Sequence, residues 1–303
     1  MRYKFSKGVE LRLKGFKIYL QELGNGVDTI RQKSNYVGYF LTWLESENLQ
    51  AEETTYNDML SFIDYCNLEG SSKRHINSKL RSIRHFYEHL KKQYANIINP
   101  AVNLVLKGVR QKLPSNIINY AELEKLYQSY QTNDNRSERN KVVLGLLIYQ
   151  GLTTEELHQL EPEHLKLKQG KIYVPGNRRR NSRILDLQPC QILELYKYQN
   201  KIRPKLNCKN SSQLFVSMEG NNNLKNSLHH MFRAIKKDNL GILHPKQIRS
   251  SIITHWLKDN NLRQVQYMAG HKYVSSTERY QLNNLFKLQS KVNEYHPLNG
   301  NQN

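Results

Sequence analysis

The sequence predicts a mostly α-helical chain with a small three-stranded antiparallel sheet, an α+β class, divided into two domains. Three observations carry this. Apolar residues recur at three- and four-residue intervals over most of the chain, the period of a helix with one buried face. The period shifts toward two only between residues 164 and 187. A stretch without periodicity, Leu106-Lys-Gly-Val-Arg-Gln-Lys-Leu-Pro-Ser-Asn116, carries Gly108 and Pro114 and reads as a linker. The expected domains are residues 1–105 and 119–303, joined by 106–118. A length of 303 residues agrees with a soft prior of about 150 residues per domain.

In the first domain, residues 1–20 mix Leu11, Leu13, Phe16, Ile18 and Tyr19 with Lys4, Lys7, Arg12, Lys14 and Lys17, and read as an arm or a short leading helix. From Thr29, the positions of Tyr36, Tyr39, Phe40, Trp43 and Leu44 predict a helix. Another starts near Thr55 and is expected to bury Met59, Leu60, Ile63 and Tyr65. Ser71-Ser-Lys-Arg-His75 has the character of a capped start. The helix after it places Ile76, Leu80, Ile83, Phe86, Tyr87 and Leu90 on one stripe, with Lys79, Arg81, Arg84 and Lys91 mostly on other faces.

The second domain opens with a helix from Tyr120 and a polar loop, Gln131 to Ser137. Val142 to Tyr149 is apolar enough for a buried helix. His164-Leu-Lys-Leu-Lys, Lys171-Ile-Tyr-Val and Arg183-Ile-Leu-Asp-Leu187 read as three short strands, with turns at Gln169-Gly170 and Asn177 to Ser182. Helices follow at Gln191 to Tyr198 and Leu228 to Ile235. Ile248, Ile252, Ile253, Trp256 and Leu257, then Leu262, Val265 and Met268, mark two more, separated by a short break and followed by a Gly-His elbow. Phe286 to Tyr295 forms an apolar-spotted tail.

Composition narrows the partners. A hydrophobic content of 38% suffices for packed cores, and the net charge of +20 favours a polyanion, nucleic acid first and a membrane surface second. No apolar run approaches a membrane span, and no basic amphipathic helix stands out as an anchor. The charged start, Met1-Arg-Tyr-Lys-Phe-Ser-Lys7, is not followed by an apolar core, so no signal peptide is expected. Cys66, Cys190 and Cys208 lack metal-ligand spacing and fit reduced, packed thiols in a cytoplasmic protein.

The chemistry concentrates in one run: Lys246-Gln-Ile-Arg249, Ala269-Gly-His271 and Thr277-Glu-Arg-Tyr280. Its order resembles the C-terminal half of the catalytic domain of tyrosine recombinases, the phage integrase-like enzymes. That family writes His-x-x-Arg, then Leu-Gly-His, then a tyrosine nine residues after that histidine. His271 and Tyr280 are nine apart. Lys246 occupies the first histidine position, and His244 lies five residues before Arg249. In the first domain, Ile76-Asn-x-x-Leu80-x-x-Ile83-x-x-Phe86-Tyr87 and Asn99-Pro-Ala101 are similar to the family's helical core-binding (SAM-like) domain.

The resemblance implies a site-specific recombinase: an integrase or transposase-like recombinase of a mobile element or phage, or a DNA inversion enzyme. It would act on double-stranded DNA through a 3′-phosphotyrosyl intermediate, without cofactor or metal. Tyr280 would be the nucleophile. Arg249 would clamp the scissile phosphate through its planar fork. Lys246 and His271 would donate hydrogen bonds or carry protons to the leaving 5′ oxygen. Protomers would assemble on DNA as dimers closing to a tetramer, alone or with a related recombinase. The tail would swap into a neighbouring protomer, pack on its own domain or be loose.

Two further positions depart from the family. Its first catalytic arginine sits in Gly-Leu-Arg-x-x-Glu-Leu, and here the box is Gly151-Leu-Thr-Thr-Glu-Glu-Leu157, with Thr153 at the arginine position. A threonine cannot make a bidentate phosphate clamp, and losing such a preorganised donor costs about 3–4 kcal/mol of transition-state stabilisation. The family's turn lysine is also missing from Asn177-Arg-Arg-Arg-Asn-Ser182. Arg178 matches it best by position, with Arg179 or Arg180 in its place if the turn is wound differently. One of these arginines could restore the missing clamp, or all could contact the DNA backbone, with Lys79, Arg81 and Arg84 as DNA contacts in the first domain. A rival reading is a catalytically weakened DNA-binding member of a hetero-assembly. A type IB topoisomerase-like activity fits less well, given the core-binding pattern.

Overall fold

Amphipathic stripes of alternating three- and four-residue spacing build the first of two compact units, Met1–Gln111 and Lys112–Asn303, seen in a computed structural model. The division falls inside the stretch read as the linker. The structure describes residues 5–94, 96–109, 116–221, 224–238, 241–242 and 244–281. The tail from Phe286 to Tyr295 and the middle of the linker lie outside the described residues.

In the first unit, α1 (Lys7–Glu22) is a full helix rather than an arm. Ser6 caps it, its Oγ accepting from the Val9 amide. Val9, Leu13, Phe16 and Leu20 are buried at spacings of four, three and four, while Leu11 and Ile18 are exposed. The interleaved cations and these two outward apolar residues mask the stripe in the sequence. Helix α2 (Val27–Ser46) buries Val37, Phe40, Leu41, Trp43 and Leu44. Thr55 and Asp58 form a capping box for α3 (Tyr56–Leu68), which buries Met59, Phe62, Ile63 and Cys66. Leu60 is exposed and Phe62 fills the core position instead. Helix α4 (Lys73–Gln93) starts at Ser72 and buries the six apolar residues of its predicted stripe.

Two cations on α4 depart from the expected DNA contacts. Lys79 is buried. Its ammonium lies 3.8 Å from the centre of the Tyr39 ring and donates to Ser71 Oγ at 3.2 Å and Cys66 Sγ at 3.4 Å. Those partners replace water, and they leave no surface for a phosphate. Arg84 is half-buried and donates to the Ala101 and Leu104 carbonyls at 3.1 and 3.2 Å, anchoring the segment after α4. Arg81 is exposed.

The second unit is layered around α6 (Asn135–Tyr149), whose residues from Val142 to Ile148 are all buried. Helix α5 (Tyr120–Ser129) packs on it, and α7 (Thr154–Gln159) follows the Gly151 turn. Strands β1 (Leu165–Lys166), β2 (Lys171–Val174) and β3 (Arg183–Asp186) form an antiparallel sheet in that order. Ile172 pairs Leu165 on one side and Leu185 on the other, all three facing the core. Helix α8 (Pro189–Lys197) runs through a π-helical turn into α9 (Arg203–Leu206), and Leu214, Phe215 and Val216 are enclosed beyond it. Helices α10 (Lys225–Asp238), α11 (Pro245–Asp259) and α12 (Leu262–Ala269) complete the run, and residues 275–281 are again helical.

Cys66 is buried as expected, but Cys190 and Cys208 are exposed. Among the described residues no helix is long and apolar enough to cross a membrane.

Candidate active site

Three local devices bring the signature run together. His244 caps α11, its Nδ1 accepting from the Gln247 amide at 3.0 Å, so this histidine is committed to the helix start. Pro245 opens the helix with its pre-set φ. Lys246 follows on the exposed side and Arg249 on the buried side. Gly270 ends α12 in the left-handed conformation, φ 65°, and turns the chain so that His271 faces Arg249. An added Cβ there would also meet Arg183 Nη1 at 2.5 Å. The helical segment 275–281 then carries Tyr280 onto Ile253, Val265 and Ala269, burying most of its ring.

These elements surround an open cavity of about 400 Å³. Tyr280, Arg249, His271 and Lys246 all line it, as do Thr153, Arg179 and Arg180. Arg178, the turn arginine matching best by position, is exposed and not among the lining residues. The turn is wound tightly, Asn177 Oδ1 accepting from the amides of both Arg179 and Arg180 at 2.8 and 2.9 Å.

Arg249 is held by backbone oxygens. Nη1 donates to the Gly151 carbonyl and Nη2 to the Ala269 carbonyl at 2.6 Å. Its burial works against the cationic form, and the nearby Glu156 carboxylate works for it. The ring of Tyr280 stacks near that of His271, centroids 6.0 Å apart and planes 14° apart.

His271 has a defined tautomer. Arg249 Nη2 lies 3.4 Å from its Nε2, and a guanidinium can only donate. Nε2 is therefore the acceptor, and Nδ1 carries the hydrogen donated to Thr277 Oγ1 at 2.8 Å. Burial, then the charges of Arg249, Arg180, Arg183 and Arg279, push the imidazole down to about 3, so it is neutral at physiological pH.

Thr153 does not stand in for an arginine. It caps α7, accepting from the Glu156 amide at 3.2 Å, while its own N–H and O–H donate to Glu156 Oε2 at 2.8 and 2.9 Å. Glu156 is enclosed, yet it is ionised. Burial alone would raise its pKa, but the Arg183 hydrogen bond, the Arg183 and Arg249 charges and the Thr153 amide outweigh that and hold it at about 2. Arg183 donates to Glu156 Oε1 at 2.7 Å and to the Met268 carbonyl at 2.8 Å. The sequence marks Arg183 only as a strand residue and gives Thr277 no separate role. The signal for Arg183 was the period of two, which puts it on the same inward face of β3 as Leu185.

The phage integrase family model matches residues 116–285, more than half of the chain. The chain belongs to the phage integrase family. Family membership extends to sequence relatives over nearly the full length. The tyrosine recombinase XerD of Listeria innocua serovar 6a is 26% identical over 284 residues, 91% of this chain and 95% of that protein. Among solved structures, the XerH site-specific recombinase in its post-cleavage complex with palindromic difH substrate superimposes with a TM-score of 0.72 at 19% identity. It covers 88% of this chain and 80% of the XerH chain. The Tn1549 transposon integrase in complex with a circular intermediate DNA gives 0.64 at 16% identity, covering 89% and 94%. The two structural matches show that this member keeps the fold of the tyrosine recombinases despite Thr153.

Proposed function

We propose that this tyrosine recombinase breaks and rejoins double-stranded DNA at specific sites, with Tyr280 as the nucleophile. The observation that carries the reading is the convergence of Tyr280, Arg249, His271 and Lys246 on one open cavity. The Tyr280 oxygen attacks the scissile phosphorus. The bond from phosphorus to the 5′ oxygen breaks as the bond to Tyr280 forms; the phenol proton passes to solvent in the open cavity and the 5′ oxygen takes one up, leaving a 3′-phosphotyrosine and a free 5′ hydroxyl. One phosphodiester replaces another, so the intermediate keeps the bond energy for rejoining.

Arg249 neutralises a non-bridging oxygen of the phosphate, and its own anchoring by two carbonyls keeps the fork in place. The exposed Lys246 ammonium donates to the phosphate or gives a proton to the leaving 5′ oxygen. His271, neutral and fixed by Thr277, holds the Arg249 fork from the side of Tyr280. The net charge of +20 supplies salt-sensitive attraction to the duplex, with Arg81 and the exposed Arg178 and Arg179 as contacts to its backbone. Recombination joins two sites, so protomers pair on DNA as dimers closing to a tetramer.

The test is recombination in a purified system. A site selected from a random duplex pool is placed twice on a supercoiled plasmid, and resolution into two circles is measured. Resolution by the unaltered protein supports the reading. Tight, salt-sensitive binding with no exchanged product contradicts it.

A further inference from the structure

Resting on the reading of Tyr280 as a DNA-cleaving nucleophile, we infer that Arg180 supplies the phosphate clamp that Thr153 cannot. The position of the lost cation can be located in space. Thr153 caps α7, and the carboxylate of Glu156 receives its amide and hydroxyl. Two cavity-lining guanidinium groups reach this same carboxylate from its two sides. Arg249 Nη1 lies 3.7 Å from Oε2, and Arg180 Nε lies 3.9 Å from Oε1. Arg180 Nη1 is also 3.4 Å from Glu155 Oε2. A cation from the β2–β3 turn thus stands beside the first turn of α7 and shares the Glu156 carboxylate with the cap residue Thr153.

The neighbouring arginines do not fit this role. Arg183 is fully enclosed, its Nη1 and Nε spent on Glu156 and the Met268 carbonyl, so no ligand can touch it. Arg178 is exposed and outside the cavity lining. Arg179 lines the cavity but is exposed. Arg180 is half-buried and its backbone is pinned on both sides. Its main chain bridges to Asn177 and to His271, and the next amide, Asn181, donates to the Gly270 carbonyl at 3.1 Å. The turn and the Gly-His elbow are therefore one unit, and Arg180 keeps a fixed station relative to His271 and Arg249. A phosphate has two non-bridging oxygens, and Arg249 and Arg180 can take one each. The Glu155 contact is exposed on the acid's side, so the incoming phosphate can displace it at small cost.

The experiment measures covalent adduct formation on a nicked duplex carrying the selected site, whose short fragment leaves after cleavage and traps the intermediate. Arg180→Ala is expected to slow adduct formation by about a hundredfold or more, as for loss of a preorganised donor, with duplex affinity nearly unchanged. The same comparison on a duplex with an uncharged methylphosphonate at the cleaved position should shrink that deficit, because the charge Arg180 neutralises is gone. Thr153→Arg placed in the Arg180→Ala protein should restore part of the rate. Arg180→Gln guards against a folding defect, and both variants are checked by thermal melting. Undiminished cleavage by Arg180→Ala, or a deficit equally large on the methylphosphonate, overturns the inference while leaving Tyr280 in place. No adduct from the unaltered protein overturns the reading of Tyr280 and the inference with it.

Discussion

Arg183 and Glu156 meet at 2.7 Å with both side chains fully buried, and this pair joins β3 to α7, whose cap residue Thr153 lines the cavity. Through the Met268 carbonyl, Arg183 also ties in the end of α12. Replacing one member leaves the other charge buried without its counter-ion. Glu156→Gln is therefore expected to lower stability by about 3–5 kcal/mol, measured by urea unfolding, whereas an exposed pair would change it by less than about 1 kcal/mol. A change within the exposed-pair range would show that the pair does not organise this region.

The same carboxylate makes stability depend on pH. Glu156 is held at about 2 in the folded chain against an ordinary 4.5. The folded pKa is the lower one, so the stabilisation is complete above the ordinary value. It is lost as pH falls from about 4.5 through about 2, where the unfolded chain binds the proton first. The difference corresponds to on the order of 3 kcal/mol, at about 1.36 kcal/mol per pH unit. Unfolding free energies measured across this window should fall steeply in the unaltered protein and less steeply in Glu156→Gln.

Thr277 supports the tautomer that Arg249 dictates, its Oγ1 accepting the Nδ1–H of His271. Thr277→Val keeps the shape but removes the acceptor of the Nδ1–H bond, and Thr277→Ser keeps it. The valine variant should cleave roughly tenfold more slowly, about 1.4 kcal/mol in the barrier, and the serine variant should stay near the unaltered rate. Nitrogen chemical shifts of His271 report the tautomer directly, and they should change in Thr277→Val alone. Shifts that stay the same in all three proteins would contradict the assignment.

Gly270 is required twice over, for its φ of 65° and for the space above Arg183. Gly270→Ala should cost roughly 1–3 kcal/mol from backbone strain, and more if Arg183 is displaced. Thermal melting with adduct formation checks this: both should fall together, because the elbow carries His271.

Lys79 and Arg81 lie two residues apart on α4 and should respond differently. Arg81→Ala is expected to weaken DNA binding evenly across sequences and to reduce the salt slope by about 1. Lys79→Met should leave that slope as it is and alter stability alone, since its ammonium is turned into the bundle over Tyr39. Equal slopes for Arg81→Ala and the unaltered protein would remove Arg81 from the interface.

How much of this was legible from the sequence depended on whether one residue's role was visible in a period. The stripe of α4, the two helices around Arg249 and the Gly-His elbow with Tyr280 nine residues on were readable, because spacing alone encodes them. Lys79 was misplaced because a lysine is expected to face water. Yet it lies three after Ile76 and four before Ile83, on the stripe itself, and tertiary partners make that position tolerable. Leu60 lies outside the stripe of α3, which runs through Met59, Phe62, Ile63 and Cys66 at spacings of three, one and three, so Phe62 takes the core position and Leu60 faces solvent. Arg180 could not be told from Arg178 without the turn, since the Asn177 side chain decides how it is wound. The hydrogen-bonded tautomer of His271 depends on Arg249, Ala269 and Thr277 meeting in space, which no local pattern records.

Tyr280 is expected to become covalently joined to DNA despite Thr153. Unaltered protein and Tyr280→Phe are mixed with the nicked duplex carrying the selected site, and adducts that survive denaturing detergent are counted. An adduct is expected with the unaltered protein, mapped by mass spectrometry to Tyr280, and none with Tyr280→Phe. An adduct that persists in Tyr280→Phe, or tight binding with no adduct by the unaltered protein, would contradict it.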